Sequence, residues 1–262
     1  AGAQLPAVIV NVMRGGPGLG NIWPAQSDYF QATRGGGHGD YRSIVLAPST
    51  VQESYVCMSL AFSLADQYRT PAIILSDGML GQMMEPVLMR SQEHIVFSKV
   101  QPDKPWALGN CKGRSPNIAK SFYLREGDLE KVNLVLQKKY KAIEDKEQRY
   151  QGQYLDDARL ILVAYGTMAR IAKGAMQALR QEGEKVGLLR PISLWPFPKN
   201  ILERLASSRK RSKFLVIEMS AGQMVEDVKL AVNGRSPVEF LGRTGGGMPS
   251  EQEITDKILK LL

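Results

Sequence analysis

The sequence predicts an α/β protein, because short apolar runs alternate along the chain with segments of helical periodicity. The first run, Ala7–Met13, has the continuous apolar character of a strand covered on both faces of a parallel sheet. Residues 44–47 and 71–78 form two more such runs, and Pro48 ends the first of these two. Helical spacing of apolar residues lies between them. This alternation is typical of layered α/β architectures.

Size and composition are those of a globular protein with room for two domains. The 262 residues are 44% hydrophobic and 23% charged, and no apolar stretch approaches the roughly 20 residues that cross a bilayer. The first residues show no secretory signal and lead straight into a strand, which is typical of the middle of a longer polypeptide. Two isolated cysteines, Cys57 and Cys111, and two histidines match no zinc or iron–sulfur signature. We therefore expect a reducing, cytoplasmic location.

The net charge of +8 raises the question of nucleic-acid binding. Basic residues are mostly interleaved with acidic ones, and the one compact basic cluster, residues 209–213, lies between a predicted helix and a predicted strand without a nucleic-acid motif. An acidic protein partner or a polyanionic small molecule explains the charge at least as well. We expect neither nucleic acid nor a membrane as partner.

A glycine-rich loop after the first strand is the strongest candidate site. Arg14 is followed by Gly15-Gly16-Pro17-Gly18-Leu19-Gly20-Asn21, and a second loop, residues 34–40, follows closely. Ligands of open parallel sheets bind beyond the carboxyl ends of the strands. Arg14 is suited to grip a carboxylate through two parallel hydrogen bonds, while bare glycines permit close backbone approach. The alternative is a tight loop whose arginine pairs with a neighbour.

The central elements continue the alternation. Thr50 and Glu53 have the spacing of a capping box at the start of a helix, whose predicted apolar face is Val51, Tyr55, Met58, Phe62 and Ala65. Cys57 is expected to pack as a small buried hydrophobe. An irregular connection rich in proline and glycine precedes a long charged helix, predicted from about residue 128 to residue 150.

A second α/β unit begins at residue 158. Its predicted strands are 160–165, 186–189, 214–218 and 238–241, and its predicted helices are 168–181, 199–206, 222–232 and 251–262. The pair Gly166-Thr167 could hold an anion at a helix N-terminus, but capping of that helix is favoured. No GxGxxG follows a strand and no P-loop motif is present.

Seven stretches together resemble the alpha subunit of 2-oxoacid:ferredoxin oxidoreductases, a thiamine-dependent family. They cover residues 12–22, 26–33, 35–41, 47–53, 81–87, 190–198 and 218–223. The version of the two glycine loops is closest to the 2-oxoisovalerate (3-methyl-2-oxobutanoate) type, with the 2-oxoglutarate type close behind. The resemblance extends over essentially the whole chain.

The resemblance implies the fold in more detail. Residues 1–98 would be the C-terminal part of a pyrimidine-type thiamine diphosphate-binding domain, and residues 99–156 a connector with the charged helix. Residues 157–262 would be a transketolase C-terminal-like α/β domain. The glutamate that activates the cofactor in this family and its GDG…N metal–diphosphate signature are both absent from the sequence. The chain by itself is therefore expected to be inactive, with no catalytic and no metal-binding residue of its own.

The resemblance also implies a function. The complex would oxidatively decarboxylate a branched-chain 2-oxoacid to its acyl-CoA and pass electrons to ferredoxin. Alternatives are the 2-oxoglutarate enzyme and a non-catalytic assembly module. Thiamine diphosphate and Mg²⁺ would be shared with or held by a partner subunit, and an iron–sulfur cluster would lie in another. The expected partners are beta, gamma and possibly delta subunits, ferredoxin, coenzyme A and the oxoacid.

Carried over by motif, the substrate-binding residues would be Arg14, Gly15, Gly16 and His38, and the cofactor-binding residues would be Gly18, Gly20, Asn21 and Asp40. His38 and Asp40 are expected to line the same mouth as Arg14, although a loop histidine bonded to backbone is an equally good interpretation. Three further expectations concern residues outside the two glycine loops. Gln26 and Asp28 would either hold the glycine loop by hydrogen bonds or cap the next helix, and capping is favoured. Glu218 would pair with Arg190, and Trp195 and Phe197 would form an apolar corner.

Overall fold

The computed structural model describes residues 1–89, 104–109, 111–208 and 212–262. The strands are β1 Ala7–Met13, β2 Ile44–Leu46, β3 Pro71–Asp77, β4 Tyr150–Gln153, β5 Leu160–Val163, β6 Val186–Pro191, β7 Ser193–Trp195, β8 Lys213–Glu218 and β9 Val238–Gly242. The helices are α1 Tyr29–Arg34, α2 Val51–Tyr68, α3 Gly78–Gln82, α4 Asp128–Lys146, α5 Gly166–Gln181, α6 Lys199–Ala206, α7 Met224–Val232 and α8 Glu251–Leu261.

The strands form two sheets, and this confirms the predicted α/β class. The first has the order β1-β3-β2-β7 and the second the order β4-β6-β5-β8-β9. In each sheet the pairs are parallel except for one antiparallel strand at an edge, β7 in the first and β4 in the second. All parallel strands of a sheet therefore end at the same edge, where ligands of such sheets bind.

Two strands join a sheet outside the unit in which the sequence places them. Strand β7 lies in the second half of the sequence but pairs with β2 of the first sheet, next to a bond from the Ala47 N–H to the Ile192 carbonyl at 2.8 Å. Strand β4 precedes the second unit but joins its sheet. Trp195, 7% exposed, stacks edge-to-face on Tyr140 of α4 at 5.9 Å, which confirms its place in the core.

Strand β1 is correctly predicted in extent and wrong in burial. It lies at the edge of the first sheet and pairs with β3 alone among the described residues. Ile9, Val10 and Val12 are 48%, 51% and 48% exposed. A continuous apolar pattern is typical of a strand that is covered on both faces. In the described part of the chain, β1 is covered only in part.

Other differences concern helices. The long charged helix ends at Lys146, because the chain turns and residues 150–153 pair with β6. The buried face of α2 consists mainly of Cys57, Leu60, Ala61 and Leu64, while the predicted face residues Tyr55 and Phe62 are 39% and 56% exposed. This helix is apolar on more than one side, so periodicity alone did not identify its core face.

Several predicted features lie outside the described residues. They are the basic residues 209–211 and residues 99–103 of the connector. In the part of the chain that is described, no helix has the length and apolar character needed to span a membrane.

Candidate functional site

The glycine-rich loop closes on itself at the carboxyl end of β1. Arg14 forms an antiparallel bridge with Pro24, and the Gly15 N–H donates to the Trp23 carbonyl at 2.8 Å. The Asn21 N–H donates to the Gly15 carbonyl at 3.0 Å across the loop. A Cβ on Gly20, which has a φ of +54°, would lie 1.8 Å from the Gly15 oxygen. Only glycine fits there, so the loop has one compact shape.

Arg14 is exposed, and its own loop holds one end of its guanidinium. Its Nη1 donates to the carbonyls of Leu19 and Asn21, the latter at 2.9 Å. Within the described residues, Nε and Nη2 donate to no protein acceptor, so the two donors on this side of the planar fork remain available to a ligand. A carboxylate approaching that side would form two parallel hydrogen bonds with a head group that is already fixed in place. The guanidinium is thus held by carbonyls of its own loop and not by a salt bridge among the described residues, and ligand binding by Arg14 stays a prediction.

The remaining loop residues divide into two kinds. A Cβ on Gly16 or Gly18 would meet nothing within 4 Å, so bare backbone is presented to the outside at these positions. Asn21 instead supports the loop, because its Oδ1 accepts from the Trp23 N–H at 3.1 Å and its Nδ2 donates to the Gly245 carbonyl at 2.9 Å. Gly15 is buried, and a Cβ there would approach Asn21 Oδ1 to 2.4 Å.

A cleft of about 490 Å³ lies between one side of this loop and the second unit, beside the contact of Asn21 with Gly245. One wall carries Gly16, Pro17, Ala25, Ser27 and Asp28 of the first unit. The opposite wall carries residues from the ends of β8 and β9: Met219, Ser220, Ala221, Gln223, Thr244 and Gly245. The carboxyl edges of the two sheets therefore face each other across a crevice lined by small apolar residues and a few polar side chains, which is the expected location of a ligand site in α/β sheets.

His38 and Asp40 lie elsewhere, and the expectation that they share a mouth with Arg14 is wrong. Their loop leads into the amino end of β2, whose first residue pairs with Ala72. The Asp40 carbonyl accepts from Gln137 of α4 at 2.8 Å. Arg14 follows the opposite, carboxyl end of β1. The chain reaches this edge through α1 and the loop that follows it, and local spacing in the sequence does not reveal this path.

Gln26 and Asp28 do not cap α1. Gln26 is fully buried, with Nε2 donating to the Tyr165 carbonyl at 2.9 Å and Oε1 accepting from the Met219 N–H at 3.1 Å. Asp28 occupies the N-cap position without a capping bond and accepts from Asn11 Nδ2 at 3.1 Å. Gln26 therefore joins the candidate loop to two strand ends of the second unit, because an amide side chain can donate and accept at once.

The N-terminus of α5 is capped from the first unit. Asp77, at the end of β3 and 1% exposed, accepts from the Thr167 N–H at 3.0 Å and from the Thr167 hydroxyl at 2.6 Å. It also caps α3 through the Leu80 N–H at 3.1 Å. A Cβ on Gly166 would lie 2.8 Å from the Asp77 carboxylate. The group at this helix terminus is thus a carboxyl side chain of the protein. The favoured interpretation, that Gly166-Thr167 itself caps the helix, is wrong, because this pair lies in the first turn of α5, where Thr167 donates to Asp77.

Glu218 does not pair with Arg190, contrary to expectation. Fully buried at the end of β8, it accepts from the Ser220 hydroxyl at 3.0 Å and from the N–H groups of Gln223, Met224 and Val225 at 3.0–3.2 Å. Burial raises the pKa of Glu218, and these donors oppose the shift. Arg190 instead makes a bidentate pair with Glu53 at 2.6 and 2.9 Å. The capping box is half formed: the Thr50 side chain accepts from the Glu53 N–H, whereas the Glu53 carboxylate accepts from the Ser49 N–H.

Arg34, the first residue of the second loop, is already bonded within the protein. Arg34 makes a bidentate pair with Asp227 of α7 at 3.0 and 3.2 Å, and Asp227 also accepts from the Tyr29 hydroxyl at 2.5 Å. Burial, followed by the Asp227 charge, raises the pKa of Tyr29 well above its ordinary value. This cluster joins α1 to α7 and leaves Arg34 unavailable to a ligand.

The cysteines and potential metal ligands give no further site. Cys57 is buried, as predicted, and burial raises the pKa of its thiol to about 12, whereas Cys111 is exposed. Across the residues that the structure describes, no three His, Cys, Asp or Glu side chains are grouped as a metal site would require.

Sequence reasoning missed three contributors to this region: the linking role of Gln26, the double cap by Asp77, and the turn at residues 244–247. Asp77 is predictable in part, because in a parallel sheet a polar residue that closes the apolar run 71–78 lies at the same edge as Arg14. For Gln26 and the turn, the partners lie more than 130 residues away along the chain, and no local pattern signals such contacts.

Comparison with known protein families gives two matches. Residues 1–152 match the family described as "Pyruvate flavodoxin/ferredoxin oxidoreductase, thiamine diP-bdg". Residues 158–254 match "Pyruvate:ferredoxin oxidoreductase core domain II". Together the two matches include the glycine loop and the facing wall of the cleft.

Similar proteins carry related names. The ketoisovalerate oxidoreductase subunit VorB of Methanothermobacter marburgensis is 48% identical over 100% of this chain and 72% of its own length. The 2-oxoglutarate synthase subunit KorA of the same organism is 32% identical over 98% of this chain and 74% of its own length. KorA of Archaeoglobus fulgidus is 35% identical, with coverage of 86% and 64%.

Among solved structures, a 2-oxoglutarate:ferredoxin oxidoreductase from Magnetococcus marinus shares the fold. The TM-score is 0.77 at 22% identity, and the match covers 98% of this chain but 49% of the solved one. The chain thus spans about half the length of that protein and about seven-tenths of its VorB relative.

Proposed function

Because this chain belongs to the pyruvate flavodoxin/ferredoxin oxidoreductase family of thiamine diphosphate-binding proteins, we propose that it is part of the alpha subunit of a 2-oxoacid:ferredoxin oxidoreductase. The proposed reaction is oxidative decarboxylation of 3-methyl-2-oxobutanoate to its acyl-CoA, with electrons passed to ferredoxin. The observation that carries the substrate class is the preorganised Arg14 fork beside bare glycine backbone.

We propose that Arg14 binds the carboxylate of the 2-oxoacid through Nε and Nη2. Its Nη1 is already bonded to the carbonyls of Leu19 and Asn21, so little side-chain freedom remains to be lost on binding. Gly15 and Gly20 allow the loop to close tightly, while Gly16 and Gly18 leave the peptide backbone accessible. The proposed site does not include His38 and Asp40, because their loop leads into the amino end of β2.

The branched-chain substrate is favoured by the surroundings of Arg14. Leu19, whose carbonyl accepts from the guanidinium, is 89% exposed, and Ile22 is 78% exposed. Exposed apolar side chains on the same loop as the carboxylate-binding head suit an aliphatic tail. A distal carboxylate, as in 2-oxoglutarate, would need a cationic partner when buried. Arg34 is paired with Asp227, and Arg42 precedes β2 at the far edge.

Identity to relatives points the same way. The two VorB relatives are 48% and 47% identical to the chain, against 29–35% for the KorA relatives. The 2-oxoglutarate reaction remains the alternative, because these KorA relatives match the chain over most of its length.

The cofactor is assigned jointly to this chain and a partner subunit. Gly16 and Gly18 offer an open backbone face to a flat ring, whereas the loop carries a single cationic side chain. When bound, thiamine diphosphate would supply the nucleophilic carbon and the electron sink for decarboxylation. Following the resemblance, we assign Mg²⁺ and the diphosphate to a beta subunit, the iron–sulfur cluster to a partner subunit, and the location to the cytoplasm. Domain limits at residues 98 and 156 are part of the same proposal.

Substrate preference of the complete complex tests the proposal. Reduction of ferredoxin or of a viologen dye is measured with 3-methyl-2-oxobutanoate, 2-oxoglutarate and pyruvate, each with coenzyme A. We expect kcat/KM for the branched-chain acid to exceed that for 2-oxoglutarate by about tenfold or more. Equal values would remove the branched-chain assignment. Absence of turnover with every acid, in a complex that is fully assembled and loaded with cofactor, would support the assembly module instead.

A further inference from the structure

We propose that the turn at residues 244–247 of the second unit is a positioning element that sets the position of the Arg14 loop. This inference rests on the proposed function for its kinetic consequence but not for its structural content. It gives the second unit, so far only a scaffold, a direct part in shaping the substrate site.

The turn contacts the loop at two points. The Gly245 carbonyl accepts from Asn21 Nδ2 at 2.9 Å. Gly246 lies so close to the loop that a Cβ added to it would stand 2.3 Å from Trp23 Cβ and 3.3 Å from Asn21 Oδ1. Real side chains do not approach this closely, so glycine at residue 246 is what permits the contact.

The turn is itself anchored. The Gly247 N–H donates to the Thr244 carbonyl at 3.0 Å, and the Arg243 N–H donates to the carbonyl of Glu218 at 3.3 Å. The Glu218 side chain, in turn, accepts from the first N–H groups of α7. The turn is therefore fixed to the end of β8, and its position does not depend on that of the Arg14 loop.

The guanidinium is linked to this support through one residue. Arg14 Nη1 donates to the Asn21 carbonyl at 2.9 Å, and the side chain of the same Asn21 donates to Gly245. Gly16 and Pro17 of the loop face Thr244 and Gly245 across the cleft. A displacement of the turn against the loop would therefore move the carboxylate-binding head, and displacements of about 1 Å can lower catalytic efficiency by about a hundredfold.

The matched variants are Gly246→Ala and Gly234→Ala. Both glycines have a positive φ, +86° and +70°, so both substitutions strain the backbone. Only residue 246 meets the loop, because a Cβ at Gly234 has nothing within 4 Å. Asn21→Asp is the second variant. It keeps an acceptor for the Trp23 N–H but loses the donor to the Gly245 carbonyl.

The first readout is the emission of Trp23, obtained as the difference between each protein and its Trp23→Phe counterpart. This measurement requires no catalysis. We expect Gly246→Ala and Asn21→Asp to change the Trp23 emission maximum and its quenching by acrylamide, and Gly234→Ala to leave both unchanged. Identical emission in Gly246→Ala and the parent protein would overturn the proposal, as would an equal change in Gly234→Ala.

The second readout is steady-state kinetics of the complete complex. We expect KM for the 2-oxoacid to rise about tenfold in Gly246→Ala and to a smaller extent in Asn21→Asp, while kcat falls less than about threefold. A changed Trp23 signal with unchanged KM would show that the turn positions the loop but that the loop does not bind substrate. This result would refute the proposed function and the kinetic part of the inference while leaving the structural part standing.

Discussion

Asp77 at the end of β3 and Thr167 in the first turn of α5 are joined by two buried hydrogen bonds, of 2.6 and 3.0 Å, although 90 residues separate them in the sequence. The same carboxylate caps α3. One side chain of the first sheet thus satisfies the starts of two helices, one of which belongs to the second unit. The joint between the units is consequently polar and geometrically specific, and it lies beside the candidate site.

Replacing Asp77 is expected to destabilise the protein. Asp77→Ala removes both caps and leaves the Thr167 N–H and hydroxyl buried without an acceptor, which costs about 2–4 kcal/mol of unfolding free energy. Asp77→Asn keeps one acceptor oxygen and should cost about half as much. Urea unfolding monitored by circular dichroism measures both. An Asp77→Ala protein within about 0.5 kcal/mol of the parent would show that this joint does not stabilise the fold.

The pH dependence of stability is expected to report the buried carboxyl of Glu218. Burial raises its folded-state pKa above the unfolded value. A raised pKa means that the folded state binds the proton more tightly, so the stability contributed by this group is full below about pH 4.3 and declines as pH rises through the folded pKa. The unfolding free energy of the parent minus that of Glu218→Gln should therefore fall as pH increases from about 4 to 7. A difference that rises over this interval would mean that the four donors outweigh desolvation.

Leu19 is expected to contribute to the choice of substrate. Leu19→Ser removes an apolar side chain beside the Arg14 head, and we expect kcat/KM for 3-methyl-2-oxobutanoate to fall about tenfold while that for pyruvate changes by less than about threefold. Leu259→Ser on α8, also an exposed leucine, is the matched control. Equal losses for the two acids would exclude contact between Leu19 and the branched tail.

The sequence was sufficient for the features that depend on neighbouring residues. Strand β1 and the glycine loop follow from a continuous apolar run that ends in glycines, and Thr50 caps α2 as its spacing predicts. The buried and exposed positions of β1 were not predictable. All but one of its residues are apolar, so its composition does not distinguish the positions that neighbouring elements cover from those that they leave exposed. The exposed β1 edge is where this difference is visible.

Pairings between distant residues were beyond the sequence. Arg190 and Glu218 both end strands of the second sheet, yet Arg190 bonds to Glu53 of α2 and Glu218 turns to the N-terminus of α7. Charge complementarity allowed either pairing, and the position of Glu53 beside Arg190 in the folded chain decided between them. His38 failed for a related reason, because nearness in sequence to Arg14 does not determine which edge of a sheet a loop occupies.

The most direct test of the account is the 2-oxoacid KM of the complete complex carrying Arg14→Lys. Lysine keeps a positive charge and a donor for the Leu19 and Asn21 carbonyls but lacks the planar fork. We expect KM to rise about ten- to a hundredfold, with the Trp23 emission unchanged because the loop keeps its position. Parent-like KM and kcat in both Arg14→Lys and Arg14→Ala would contradict the account, because no substrate carboxylate would then depend on this guanidinium.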